Sequence, residues 1–237
     1  MKGWEGLINE WQTHFFILPL YFLLSLLALV ICIIYHRKEK IGVLFITYLL
    51  FDLIVYLNDD YRKYFSHYTS KETLVLISLS NGLIYIIEFF VYSFFFLSVL
   101  KYKTSKRIVK IFLLLFGVAT IYYLGVAFQP SSIHIRKLSN FFSSLEYLFL
   151  TTMSLLYYFE LFSLAPKDDI LKKPSFWITN GIFIMCLISL PYILIDFTLA
   201  FNKKFNRILV VFFFYMPICF NSIFLTKALL CKKPLSI

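Results

Sequence analysis

Four carboxylic acids lie within long apolar stretches of the chain, where ionised side chains are rare: Asp52, Glu88, Glu146 and Glu160. Asp52 is in LLFDLIVYL, Glu88 in LIYIIEFFVY and Glu146 in NFFSSLEYLFL. A charged side chain at the centre of a bilayer costs about 2.5–3.5 kcal/mol on insertion scales, so such residues usually face the interior of a helix bundle. Because no basic residue lies at the depth of Asp52 or Glu88, both are predicted to be protonated unless water or a cationic ligand reaches them. These residues could bind a proton, a cation or a polar ligand.

The residues around Glu88 form a polar face on one predicted helix. The residues Ser78, Asn81, Tyr85, Glu88 and Tyr92 fall within about 80° of arc at 100° per residue. One interpretation is structural, in which a protonated Glu88 bonds to a polar side chain of a neighbouring helix. The other is a ligand, cation or proton site that opens outward, and its aromatic lining would also suit an organic cation. Its predicted residues are Asp52, Asn81, Tyr85, Glu88, Tyr92 and Glu146.

Prolines interrupt two of the apolar stretches. Pro191 and Pro217 would each remove a backbone hydrogen bond and permit a kink, which a neighbouring polar side chain can compensate. Asn221, one turn beyond Pro217, is the candidate for that compensation. The three residues are predicted to form a hinge or gate, although prolines are also common in membrane helices without such a role.

Glu160 differs from the other carboxylates because it lies about one turn from the end of its apolar stretch. Lys110 and Lys227 are predicted at the same depth. An ion pair at the membrane interface is therefore the expected role of Glu160.

Motifs for enzymatic chemistry are absent from the sequence. There is no G-x-S-x-G, no H-E-x-x-H and no glycine-rich phosphate loop, and the four histidines lie in loops or at membrane edges. The cysteines have no spacing typical of a metal site. The sequence therefore predicts a protein that is not an enzyme, with no catalytic residue, no metal site and no cofactor.

Composition identifies the elements that position these residues as membrane helices. The chain is 60% hydrophobic and 15% charged, with a mean hydropathy of +0.80. A membrane-spanning helix needs about 20 apolar residues, and the sequence contains seven stretches near this length joined by short loops. We therefore predict one all-α domain over residues 1–237, with an interfacial helix or aromatic anchor at residues 1–14. The predicted spans are 15–35, 41–57, 74–100, 108–128, 141–164, 176–195 and 208–230.

The distribution of basic residues predicts the orientation. The net charge of +10 comes mainly from lysines and arginines in the short loops, where they anchor topology and contact anionic lipid headgroups rather than nucleic acid. Loops one, three and five and the C-terminal tail are richer in them. The N-terminus is therefore expected outside and the C-terminus in the cytoplasm, in a bacterial inner membrane.

The segment SLLYYFELFSLAPKDDILKKPSFWITNGIFIMCLISL resembles a group of small, uncharacterised seven-helix membrane proteins from Bacteroidetes-type bacteria. The resemblance lies in the tyrosines at the end of span five (Tyr157, Tyr158) and the Pro-x-Phe-Trp entry into span six (Pro174, Phe176, Trp177). Some members of the group are sensor modules that act with histidine kinases. The resemblance therefore implies a sensory role and a signalling partner in the membrane or cytoplasm.

Together these features predict a sensory or signalling module of the membrane that is not an enzyme. Its partners would be the lipid bilayer, a signalling protein and, as a further candidate, a second copy of the chain. One alternative is a small transporter or channel that uses the same carboxylates to move protons or cations. Another is a membrane effector or scaffold in which the carboxylates only join helices.

Overall fold

A computed structural model describes residues 17–64, 70–127, 132–164, 169–198, 211–231 and 235. These residues form seven α-helices and no β-strand, which confirms the all-α class. The predicted interfacial helix at 1–14 lies outside the described residues. The helices are α1 (Ile17–His36), α2 (Lys40–Tyr64), α3 (Ser70–Val99), α4 (Lys103–Ala127), α5 (Ser132–Ser163), α6 (Pro174–Thr198) and α7 (Met216–Leu229).

Two helices extend well beyond the apolar stretches that predicted them. Helix α2 continues seven residues past the predicted end at 57, and α5 begins nine residues before the predicted start at 141. Hydropathy marks the part of a helix suited to lipid, whereas the backbone hydrogen bonds of a helix can continue through polar residues into the interface. The apolar stretches therefore located the helices correctly but underestimated their length.

Five of the helices are long and apolar enough to cross a membrane, namely α1, α2, α3, α4 and α6. Helix α5 has 32 residues but is not among the five. Helix α7 has only 14 residues, and a π-helical turn at Val211–Tyr215 directly precedes it. Together the turn and α7 cover 19 residues, or about 28 Å at 1.5 Å per residue.

Six helices form a closed ring, and the seventh packs on its outside. In order around the ring, each helix contacts the next: α1, α2, α3, α5, α6, α7 and again α1. Among the described helices, α4 packs mainly on α3 and α5. Accordingly, 17% of the apolar stretch of α4 is buried, against 56% in α3. Side chains that point into the ring are therefore removed from lipid.

Glu160 anchors one end of this ring. Its carboxylate accepts hydrogen bonds from the backbone N–H groups of Lys101 at 2.5 Å and Tyr102 at 3.1 Å, just before α4 begins. Carboxylates near helix N-termini stabilise the free N–H groups there. The predicted ion pair with Lys110 or Lys227 was therefore wrong, and Lys227 instead lies 5.9 Å from the centre of the Trp177 ring.

The same end of the ring holds a buried histidine. We call this end of the ring the basic end, and its described residues are 37–39, 100–102, 169–173, 229–231 and 235. His36 lies 2.7 Å from a Glu39 carboxylate oxygen through Nδ1 and 2.9 Å from the Leu229 carbonyl oxygen through Nε2. The other Glu39 oxygen accepts a hydrogen bond from the Leu235 backbone N–H at 2.8 Å. His36 and Glu39 therefore connect the α1–α2 turn to the segment after α7.

Close packing between α3 and α4 predicts different effects of alanine at two glycines. A Cβ at Gly82 would lie 2.0 Å from the hydroxyl and 2.4 Å from the ring of buried Tyr123, whereas one at Gly117 would meet nothing within 4 Å. We expect Gly82→Ala to lower the free energy of unfolding by about 1–3 kcal/mol through overpacking. Gly117→Ala should leave it unchanged or raise it by up to ~1 kcal/mol, since alanine favours helix. Equal thermal stability of the two variants in detergent would contradict this packing.

Candidate functional site

Asp52 lies inside the ring and is joined to α1. Its side chain is 5% exposed, and one carboxylate oxygen accepts a hydrogen bond from the hydroxyl of Tyr21. Tyr21 also hydrogen-bonds to Ser25, one turn further along α1. The bond to Tyr21 satisfies part of the hydrogen-bonding capacity of Asp52 and ties α1 to α2.

Glu88 occupies the centre of the site. It is buried on α3 and accepts a hydrogen bond from the hydroxyl of Tyr48, which lies one turn before Asp52 on α2. Asp52 acts on Glu88 electrostatically, and so does Glu88 on Glu146. Helices α2, α3 and α5 therefore bring together the three carboxylic acids Asp52, Glu88 and Glu146, which we call the carboxyl cluster.

Glu146 is the member of the cluster that lacks a hydrogen bond. Its side chain is 0% exposed, and neither carboxyl oxygen has a hydrogen-bond partner in the structure. A buried polar group without a partner costs about 1–3 kcal/mol, and a charged one costs more. The groups around it are Tyr85, Glu88 and Tyr92 from α3, Tyr147 from α5 and Cys186 from α6.

No basic side chain balances the cluster. The groups that act electrostatically on Asp52, Glu88 and Glu146 are tyrosines and other carboxyls, among the residues that the structure describes. Three negative charges at this depth without a counter-charge would be very unfavourable. The arrangement is therefore suited to binding positive charge, either as protons on the carboxyls or as a cation between them.

Helix α7 joins the site through Asn221 and Tyr92. The Asn221 side chain donates a hydrogen bond of 2.9 Å from Nδ2 to the hydroxyl of Tyr92, and both residues are buried. The close approach of α6 supports this position, because a Cβ at Gly181 would lie 2.6 Å from the Asn221 side-chain oxygen. The Asn221 amide therefore bonds to Tyr92. The sequence predicts a different role for it, which is to compensate the backbone hydrogen bond that Pro217 removes.

The remaining residues that the sequence predicted for the site lie on α3, α6 and α7. Tyr85 is half-buried and acts electrostatically on both Glu88 and Glu146, whereas the side chain of Asn81 lies outside the described residues. Pro191 is exposed within α6. Pro217 lies in the first turn of α7, after the π-helical turn, where a proline removes no α-helical hydrogen bond. The hinge or gate role of Pro191, Pro217 and Asn221 stays a prediction.

Several residues of the site were missed by the sequence analysis. Tyr48 had a signal, because it precedes Asp52 by four residues and therefore shares its helix face. Tyr147 follows Glu146 directly. No sequence signal indicated Tyr21 or Cys186, because their proximity to the carboxyl cluster depends on how α1 and α6 pack in the ring.

The described residues contain no group of three or more His, Cys, Asp or Glu arranged to hold a metal ion. Tyrosine hydroxyls and rings occupy the space around the carboxyl cluster, notably those of Tyr48 and Tyr92, whose rings lie 5.9 Å apart.

Comparisons with known proteins give no relative: no family model matches the chain, and neither a curated protein nor a solved structure is significantly similar to it.

The Tyr92–Asn221 bond predicts a cost for removing one hydroxyl. Tyr92→Phe would leave the buried Asn221 amide without its acceptor, and we expect a loss of about 1 kcal/mol in the free energy of unfolding. Tyr122→Phe is the matched control, because Tyr122 is 65% exposed on α4. Thermal unfolding in detergent measures both variants. Equal stability of both variants and the wild type would show that the bond contributes nothing.

Proposed function

We propose that this chain is a seven-span sensory module of the membrane, without enzymatic activity, in which occupancy of the carboxyl cluster by positive charge is the signal. The observation that carries the proposal is the group of three buried carboxyls with no basic partner, in which Glu146 has no hydrogen bond. A side chain of this kind is costly to keep in a membrane unless it binds something. Buried titratable side chains in unusual environments are often part of functional sites.

The ring supports seven spans rather than five. Helix α5 packs between α3 and α6, and α7 packs between α6 and α1. If their neighbours cross the membrane, α5 and α7 lie inside the same bundle and cross with them. The described basic end holds Arg37, Lys38, Lys101, Lys172 and Lys173. We therefore propose that this end faces the cytoplasm.

The partner of the module would bind at the basic end. The resemblance to membrane sensors acting with histidine kinases suggests a signalling protein there. Glu160 and the His36–Glu39 pair organise this end through buried contacts. A shift of α3 or α5 caused by the carboxyl cluster would reach these contacts, because Glu160 is on α5 and Lys101 follows α3.

Transport of protons or cations is the second candidate. The π-helical turn Val211–Tyr215 directly before α7 favours it, since transporters often bind their substrates beside interrupted helices. Asn221 lies in the first half of α7 and contacts the site through Tyr92. Flux in proteoliposomes under a pH or sodium gradient separates transport from sensing, because a sensor gives none.

A scaffold with structural carboxyls is favoured only by the bonds of Tyr21 to Asp52 and of Tyr48 to Glu88. It leaves the lack of partners at Glu146 unexplained.

The sensory proposal predicts that the carboxyl cluster is coupled to the basic end. Glu88→Gln is close in shape to a protonated Glu88 and carries no charge. We expect it to change the hydrogen-exchange rates of the Lys101 and Tyr102 amides, which Glu160 binds, by about fivefold or more. Exchange in lipid nanodiscs followed by mass spectrometry measures this.

The control for that experiment is Tyr122→Phe, which alters a lipid-facing residue of α4. It should leave both amides unchanged. If Glu88→Gln also leaves them unchanged while remaining folded, the carboxyl cluster does not communicate with the basic end and the sensory proposal is wrong.

A further inference from the structure

We infer that the carboxyl cluster binds a monovalent cation that donates hydrogen bonds, held between Glu146 and Glu88. The inference rests on the proposed function, because it names the class of signal that the module would detect. The shared chemistry is a positive charge with N–H or O–H groups. Its two sources are the ammonium group of a small amine and a protonated water molecule.

The need for donors follows from the state of Glu146. Both of its oxygens are acceptors without partners, at 0% exposure. A group that satisfies them has to supply hydrogen-bond donors as well as positive charge. Sodium and potassium supply charge alone, and they bind through several oxygen ligands that converge on one point. The described residues contain no group of three or more His, Cys, Asp or Glu that could hold a metal ion.

The position between two carboxyls follows from their interaction. Glu88 and Glu146 act on one another electrostatically, but no hydrogen bond joins them, because Glu146 has none. Glu88 already accepts a bond from Tyr48 and retains further acceptor capacity. A small cation with two or more donor hydrogens would bond to both carboxyls at once.

The aromatic surroundings add a second attraction. Tyr85, Tyr92 and Tyr147, which are on two helices, interact electrostatically with Glu146. Aromatic faces stabilise ammonium groups, more strongly where water is excluded. Cys186 completes the surroundings on the α6 side, and none of these groups is basic.

A ligand that enters the site would pass Tyr85 before it reaches Glu146. Tyr85 is half-buried, whereas Glu88, Tyr92 and Tyr147 are buried. Tyr85 also interacts with half-buried Tyr215 in the π-helical turn before α7. A π-helical turn is a common feature of functional sites in helices. A movement of this turn away from Tyr85 would open a route to Glu146.

The test compares cations of equal charge and different donor capacity. We would measure thermal unfolding of the purified full chain in detergent at constant ionic strength with methylammonium, tetramethylammonium and sodium chloride, and across a pH series. A ligand at about a hundred times its dissociation constant should raise the melting temperature by roughly 5–10 °C. Methylammonium is expected to do so, and tetramethylammonium and sodium are not.

Variants test whether the methylammonium shift in melting temperature arises at the carboxyl cluster. Glu146→Gln should abolish the methylammonium shift, whereas Asp169→Asn, which removes a carboxylate that is exposed near the basic end, should keep it. Because Glu146→Gln can also change stability, the comparison uses the shift between conditions and not the absolute melting temperature.

Each outcome decides a point. A shift with methylammonium alone identifies an amine as the source, and a pH-dependent shift that Glu146→Gln removes identifies a protonated water molecule or proton. Equal shifts with all three salts, or no shift with salt or pH, overturn the inference. If binding is found but the amides of Lys101 and Tyr102 do not respond to it, the site is real and the sensory proposal fails by itself.

Discussion

The cost of placing carboxyl groups in a membrane is the constraint on which this structure depends. A charged side chain at the centre of a bilayer costs about 2.5–3.5 kcal/mol even by lenient measures. Asp52, Glu88 and Glu146 lie on three helices, and all are turned away from lipid. A ring of six helices provides the interior that they require. Helix α4 carries no carboxyl in its apolar stretch, and it is the helix outside the ring.

The polar contacts of the site also hold the ring together. Tyr21 and Asp52 join α1 to α2, Tyr48 and Glu88 join α2 to α3, and Tyr92 and Asn221 join α3 to α7 across the interior. Hydrogen bonds between membrane helices average only about 0.6 kcal/mol, so they specify which faces meet more than they stabilise the bundle. Glu146 stands apart because it makes no such bond. Its buried carboxyl without a hydrogen-bond partner is the observation on which the proposed binding role rests.

The sequence predicted where the helices lie along the chain but not which helices are neighbours. Apolar stretches located all seven helices, since lipid imposes a strong and local pattern on composition. The polar face of α3 grouped Tyr85, Glu88 and Tyr92, and both tyrosines interact electrostatically with Glu88. That Glu146 and Asp52 meet Glu88 could be proposed only as a hypothesis, because it depends on which helices are neighbours. Glu160 shows the same limit: its amide partners precede α4, and no spacing within α5 indicates them.

The central claim is that the carboxyls of Glu88 and Glu146 are close enough to act on one another. A double-mutant cycle on the free energy of unfolding tests it most directly, with Glu88→Gln, Glu146→Gln and the double variant. The cycle of Glu88→Gln with Tyr122→Phe is the control, because Tyr122 is 65% exposed on α4. The structure predicts that the first pair departs from additivity by more than ~0.5 kcal/mol and that the control pair does not. Additivity in both cycles would contradict the carboxyl cluster.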